Sequence, residues 1–165
     1  MNLKQELREY ITQNLIGMEA DKGIVFKKAN YIQFEEACLL DYEDINNFIN
    51  QEKNENKFQK LLFQHIDNKK IKDSDVYNKV NIDRRLFSKI RNDYNYHPSK
   101  ETVILLAIAL ELSEDELLDL LNSASYSLPK NNIFDLIIRF CFQKRIYDIN
   151  KINELLFDYN CKTLN

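Results

Sequence analysis

Glycine and proline are almost missing, with two of each in 165 residues. Sheets depend on frequent Gly or Asn-Gly turns, so this scarcity, beside plentiful Leu, Ile, Lys, Glu and Asn, predicts an all-α chain. Cysteine is sparse and unpatterned. Cys38, Cys141 and Cys161 are odd in number, far apart and outside any CxxC or CxxH arrangement, so they read as buried or incidental thiols of a reducing cytosol. No apolar run approaches the roughly 18 residues that span a bilayer. The opening "MNLKQELREY" lacks the apolar core of a signal peptide. The expectation is a cytoplasmic protein with no membrane partner. There is no Gly-rich phosphate loop, and no His, Cys and carboxylate cluster has metal-ligand spacing. His65 and His97 are far apart, and His65 sits on an apolar stripe, which suits a core histidine. With no constellation for catalysis, the chain is expected not to be an enzyme and to need no cofactor or metal.

What the sequence does have is charge sorted by position. The formal net charge is −3, which argues against simple charge-driven binding to a polyanion, so the distribution matters more than the sum. Residues 69–91 carry 8 basic side chains against 3 acidic ones, whereas residues 111–119 carry 5 acidic side chains and no basic one. One face should be basic and another acidic.

Periodicity places the helices. Leu3, Leu7, Tyr10, Ile11 and Leu15 recur at helical spacing and predict a helix over about 2–16, closed by Gly17 and Gly23. Residues 23–34 admit a short extended piece, residues 35–51 predict a helix, and the charged "EKNENK" at 52–57 reads as a linker. A dense series follows at 58–128. Helices are expected at 58–70, at 73–80 with Asp73 or Ser74 as N-cap, and at 83–93 with Asp83 as N-cap. Ser99 caps a helix at 100–112, and Ser113 with Glu116 forms a capping box for the next. Residues 129–165 form an extension with two further helices at 131–145 and 148–160. The chain thus divides into an N-terminal mostly helical segment with its linker (1–57), a five-helix unit (58–128) and a C-terminal extension (129–165).

Five short helices, the second and third joined by a tight turn, resemble the helix-turn-helix domain of the Cro/repressor (XRE-like) family. The residues that carry the resemblance are Val76 and Tyr77, where that family has a Leu-Ala pair, Asn81-Ile82 at its Gly-aliphatic turn, and Phe87 and Ile90 at its two inward positions. "HPSKETVILLAIALELSEDELLDLL" is similar to its Pro-Ser start, Ala-containing fourth helix and acidic-capped fifth. From about residue 58 onward the chain also looks like a helical module of Firmicutes, found alone or attached to macro-domain proteins. Asp73 stands where the family often has a Gln close to a phosphate, which it would repel. Tyr77 replaces a small Ala at the closest helix contact, so the crossing must open or the ring must turn aside.

The resemblance implies sequence-specific binding of double-stranded DNA and a repressor-like role in transcription. A third helix in the major groove would present Arg84, Arg85, Ser88 and Lys89 to base edges. Lys69, Lys70, Lys72, Arg91, Tyr94 and Tyr96 would meet phosphates. Leu86 would touch a thymine methyl or join a protein interface. The helix at 131–145 is apolar around most of its circumference, so Phe134, Ile137, Ile138 and Cys141 are expected either in the core or in a homodimer interface. A protein-interaction adaptor, for instance of a mobile element or defence locus, remains the alternative. In it the same basic helix would meet an acidic protein partner.

Overall fold

The computed structural model describes residues 56–164, together with Leu3, Lys4, Glu6, Leu7, Glu9, Tyr10, Ile11 and Asn47. The seven N-terminal residues among these are helical, as is Asn47. The extended piece expected at 23–34, the rest of the helix expected at 35–51, residues 52–55 of the linker, and Cys38 lie outside the described residues. Among the described residues every regular element is a helix, so the chain is all-α.

The first helix, α1 (Lys57–Lys69), starts inside the expected linker, because Asn56 accepts a hydrogen bond from the Gln59 backbone N–H at 3.0 Å and acts as its cap. Phe58, Leu62 and Ile66 form its buried stripe. His65 is only half-buried, with Nδ1 3.9 Å from a Glu116 carboxylate oxygen. In α2 (Asp73–Lys79) the N-cap position belongs to Lys72, and no side chain caps it. That corrects the expectation for Asp73 or Ser74. Asp73 and Asp75 fall instead in the first turn, where a negative charge favours the helix dipole. Asn81, at φ 54°, turns the chain, and Asp83 accepts hydrogen bonds from the Arg85 and Leu86 amides to open α3 (Arg84–Asn92).

Ser99 caps α4 (Lys100–Ala109), whose residues from Thr102 to Ala109 are all buried. This helix stops before the expected residue 112 because Glu111 enters the left-handed region at φ 48°. The capping box of Ser113 and Glu116 then opens α5 (Glu114–Ser123) as expected. Asn132 caps α6 (Ile133–Gln143), and Asp148 caps α7 (Ile149–Asp158).

Packing is organised around α5, which touches α1, α4 and α6, while α4 also touches α2 and α6 also touches α7. One apolar cluster runs from Leu7 through Leu105 and Leu106 to Leu164. Ile137, Ile138 and Cys141 have no exposed surface within one chain. These residues therefore belong to the core and are unavailable as a homodimer surface, and Phe134 beside them is half-buried. The helical N-terminus helps to cover α6. Leu7 is fully buried, Ile11 nearly so, and the Tyr10 ring lies 5.5 Å from that of Phe140. Lys4 pairs with Glu154 and Asp158 of α7, and Glu6 with Lys144.

Candidate nucleic-acid interface

The sequence of α3 separates its faces cleanly. Phe87 and Ile90, three residues apart, are buried, while Arg84, Arg85, Ser88 and Lys89 are exposed. Spacing of four puts Arg84 above Ser88 and Arg85 above Lys89 on the outer surface. The side chain of neither arginine makes a hydrogen bond or ion pair with a described residue, although the Arg85 backbone N–H donates to Asp83. Ser88 accepts a hydrogen bond from the Asn92 side-chain amide at 3.1 Å, and Lys89 rests over the Tyr96 ring, 4.7 Å from its centroid. Leu86 is half-buried and packed on the core at the edge of this face.

The residues expected to meet phosphates divide into two groups. Lys69, Lys70 and Lys72 are exposed around the corner between α1 and α2. Arg91, although exposed in part, is turned inward. Its Nη2 donates to the Asp73 carboxylate at 2.6 Å, and its guanidinium lies 4.0 Å from the centroid of Phe63. Asp73 is thereby paired with a cation of its own chain. Tyr94 is also committed: its hydroxyl accepts from the Asn56 backbone N–H at 2.6 Å, and its carbonyl accepts from the Asn56 side chain at 2.8 Å. Tyr96 serves as the platform for Lys89 and is half-buried.

Tyr77 is half-buried and packed on the core beside α3. Its ring lies against Phe87 at 5.5 Å and 53°, and Phe87 meets Phe63 edge-on at 6.2 Å. Between α2 and α3 a groove of about 280 Å³ remains, lined by Ser74, Tyr77, Arg84 and Ser88 among others. Gln59 of α1 anchors the far end of α3, donating from its side-chain amide to the Ile90 and Arg91 carbonyls. Gln59 and Phe63 were not singled out in the sequence because they sit beside the apolar stripe of α1 rather than on it. Only the aromatic character of Phe63 could have drawn attention there.

The acidic face is present on another side. Glu111, Glu114 and Glu116 line a groove of about 630 Å³ with Phe142, Arg145 and Tyr147. Its carboxylates are already engaged. Glu111 pairs with Lys79, Glu114 with Arg139, and Glu116 with the Ser113 backbone N–H. The Lys79 ammonium holds the Glu111 carboxyl below the usual range, against a smaller opposing effect of burial. Among the described residues no group of His, Cys, Asp and Glu has the arrangement to hold a metal ion. Burial pushes the Cys141 thiol up to about 12 and raises that of Cys161, so neither is a reactive thiolate. Among the described residues no helix is long and apolar enough to cross a membrane. Compared with protein-family models, curated proteins and solved structures, the chain matches none.

Proposed function

We propose that the chain binds double-stranded DNA sequence-specifically and acts as a repressor-like regulator of transcription, with α1–α5 as a helix-turn-helix domain and α3 as the reading helix. The observation that carries this reading is the outward placement of the Arg84 and Arg85 side chains, without partners among the described residues, with Lys89 on the same helix. A B-DNA major groove is about 12 Å wide and admits one helix. Arg84, Arg85, Ser88 and Lys89 would face base edges, Arg being matched to the paired acceptors of guanine. Lys69, Lys70 and Lys72 would meet phosphates. Arg91 and Tyr94 drop out as free phosphate contacts, since both are bonded within the domain. Should two copies read a pseudo-palindrome, they would have to meet on a surface other than Ile137, Ile138 and Cys141, which are interior.

The adaptor reading keeps one observation in its favour. Leu86 is a half-buried apolar residue at the edge of a basic face, and protein interfaces combine apolar contact with Arg in this way. In vitro selection from a random duplex pool separates the two. The DNA reading expects a shared sequence bound about a thousandfold or more tighter than mixed duplex. No enrichment at physiological salt would overturn it and favour an acidic protein partner.

A further inference from the structure

We infer that Asp73 and Arg91 are positioning residues that set the angle at which α3 is presented, without touching DNA themselves. The inference rests on the reading of α3 as the DNA-contacting helix. Helices approach closely where the residues at their crossing are small. Here Tyr77 of α2 occupies the crossing and leans on Phe87 of α3. A tilted contact between two rings resists separation but permits sliding, so it does not by itself fix the angle between the helices.

A bracket around Phe87 supplies the missing constraint. Arg91 reaches from α3 to the Asp73 carboxylate of α2 at 2.6 Å, and its planar guanidinium lies on Phe63 of α1. Gln59 of α1 holds the carbonyls of Ile90 and Arg91 in the same turn. The C-terminal end of α3 is therefore tied to two helices, while the side chains of Arg84 and Arg85 at the other end have no partner among the described residues. A helix rises about 1.5 Å per residue, so Arg84 lies roughly 10 Å along the axis from Arg91. A tilt of about 10° at the bracket would move the Arg84 backbone by about 2 Å, well beyond the ~0.5 Å that a constellation of paired hydrogen bonds tolerates. The pair is 43% and 36% exposed in its side chains, and exposed ion pairs contribute little to stability. Its role is geometric.

The alternative is that Asp73 is only a carboxylate near the duplex, and the two roles give opposite results. Asp73→Asn keeps the shape and removes the charge. Binding would be measured by fluorescence anisotropy at several salt concentrations, on the tightest duplex recovered by selection and on a mixed-sequence duplex of equal length. For a positioning residue, Asp73→Asn lowers the ratio of selected to mixed affinity by about tenfold, the size of one misread base pair. The salt slope stays unchanged, and the exchanged pair Asp73→Arg with Arg91→Asp recovers part of the ratio. If Asp73→Asn instead tightens both duplexes alike and steepens the slope by about 0.9, the change expected for one added phosphate contact, the inference is overturned. An unchanged ratio with an unchanged slope also overturns it. Failure of the unsubstituted chain to bind either duplex would count against the DNA reading itself, and would be seen before any variant is made.

Discussion

Lys100, at the start of α4, holds its ammonium 2.6 Å from the Asp135 carboxylate of α6, and the Asp135 side chain is 1% exposed. The contact joins the five-helix unit to the C-terminal extension through a buried carboxylate. The two partners are not equivalent, because the Lys100 side chain keeps a path to solvent at 25% exposure. Lys100→Met is therefore the harsher change, leaving an uncompensated buried charge at an expected cost of about 3–5 kcal/mol. Asp135→Asn is expected to cost less, since the lysine can turn outward. Replacing both by Met and Leu should return stability close to the starting value. Urea denaturation of the three variants checks the order. Equal losses for the two single changes would contradict it.

Glu116 closes the capping box of α5 by accepting from the Ser113 backbone N–H at 2.7 Å. That hydrogen bond holds its carboxyl below the usual range, opposed by burial and helped by the Ser113 side chain and by the charges of His65 and Lys69. A carboxyl with a depressed folded-state value binds protons less readily in the folded chain. Its contribution is present above the unfolded value near 4.3 and is lost as pH falls through the lower folded value. Glu116→Ala should cost about 0.3–1.5 kcal/mol at neutral pH and flatten the acid limb of the stability profile. Glu116→Gln should keep the cap and flatten the limb as well. The side chain is 42% exposed, so the charge-dependent part is screened and small. Thermal melts between pH 3 and 7 measure it.

The helical N-terminus should unfold with the rest of the chain. Leu7 is fully buried and Tyr10 packs on Phe140, so Leu7→Ala should cost about 2–5 kcal/mol and shift one cooperative transition. Lys144→Met, by contrast, removes a partly exposed ion pair with Glu6 and a long contact with the Phe140 ring and should shift that transition little. Hydrogen exchange on α6 provides the readout. Unchanged protection of α6 in Leu7→Ala would contradict this packing.

Helix ends supply a further expectation. Lys70, Asn81, Glu111, Ser125, Arg145 and Asn160 all have φ between 48° and 59°. After each, the next amide bonds back five residues, as Ile146 does to the Cys141 carbonyl at 2.8 Å. Glycine normally fills such positions, and other residues strain there by about 1–2 kcal/mol. Arg145→Gly and Ser125→Gly, at exposed sites, should each raise stability by about 1 kcal/mol, additively. Chemical denaturation tests this, and a loss of stability in either variant would contradict it.

Those same ends explain where the sequence misled. Asp83, Ser99, Ser113 and Asp148 have short polar side chains, and the structure has them capping the helices expected to follow. The C-terminal turns carry Lys, Asn, Glu, Ser and Arg instead of Gly, so the sequence holds no signal that Glu111 ends α4 before residue 112. Lys72 as the first cap residue of α2 was equally illegible, since its side chain makes no cap bond. Among the candidate residues, the outward set Arg84, Arg85, Ser88 and Lys89 follows from periodicity alone. The inward turn of Arg91 does not, because it depends on Asp73 and Phe63, which are distant in sequence. Nor could periodicity decide whether Ile137, Ile138 and Cys141 faced a second copy or the chain's own core. The cover came from α5, α7 and the N-terminus together.

The proposed role of α3 is tested most directly by the salt dependence of DNA binding, compared between the unsubstituted chain and Arg84→Ala, Arg85→Ala, Lys89→Ala combined. Fluorescence anisotropy on a selected and a mixed duplex supplies both affinity and selectivity. With Lys69, Lys70 and Lys72 on phosphates and the α3 cations close to the backbone, the unsubstituted chain should show a log–log slope of about −3 to −5. The triple variant should lose at least tenfold in affinity for the selected duplex and no longer distinguish it from the mixed one. Unaltered, selective binding by the triple variant would contradict the account.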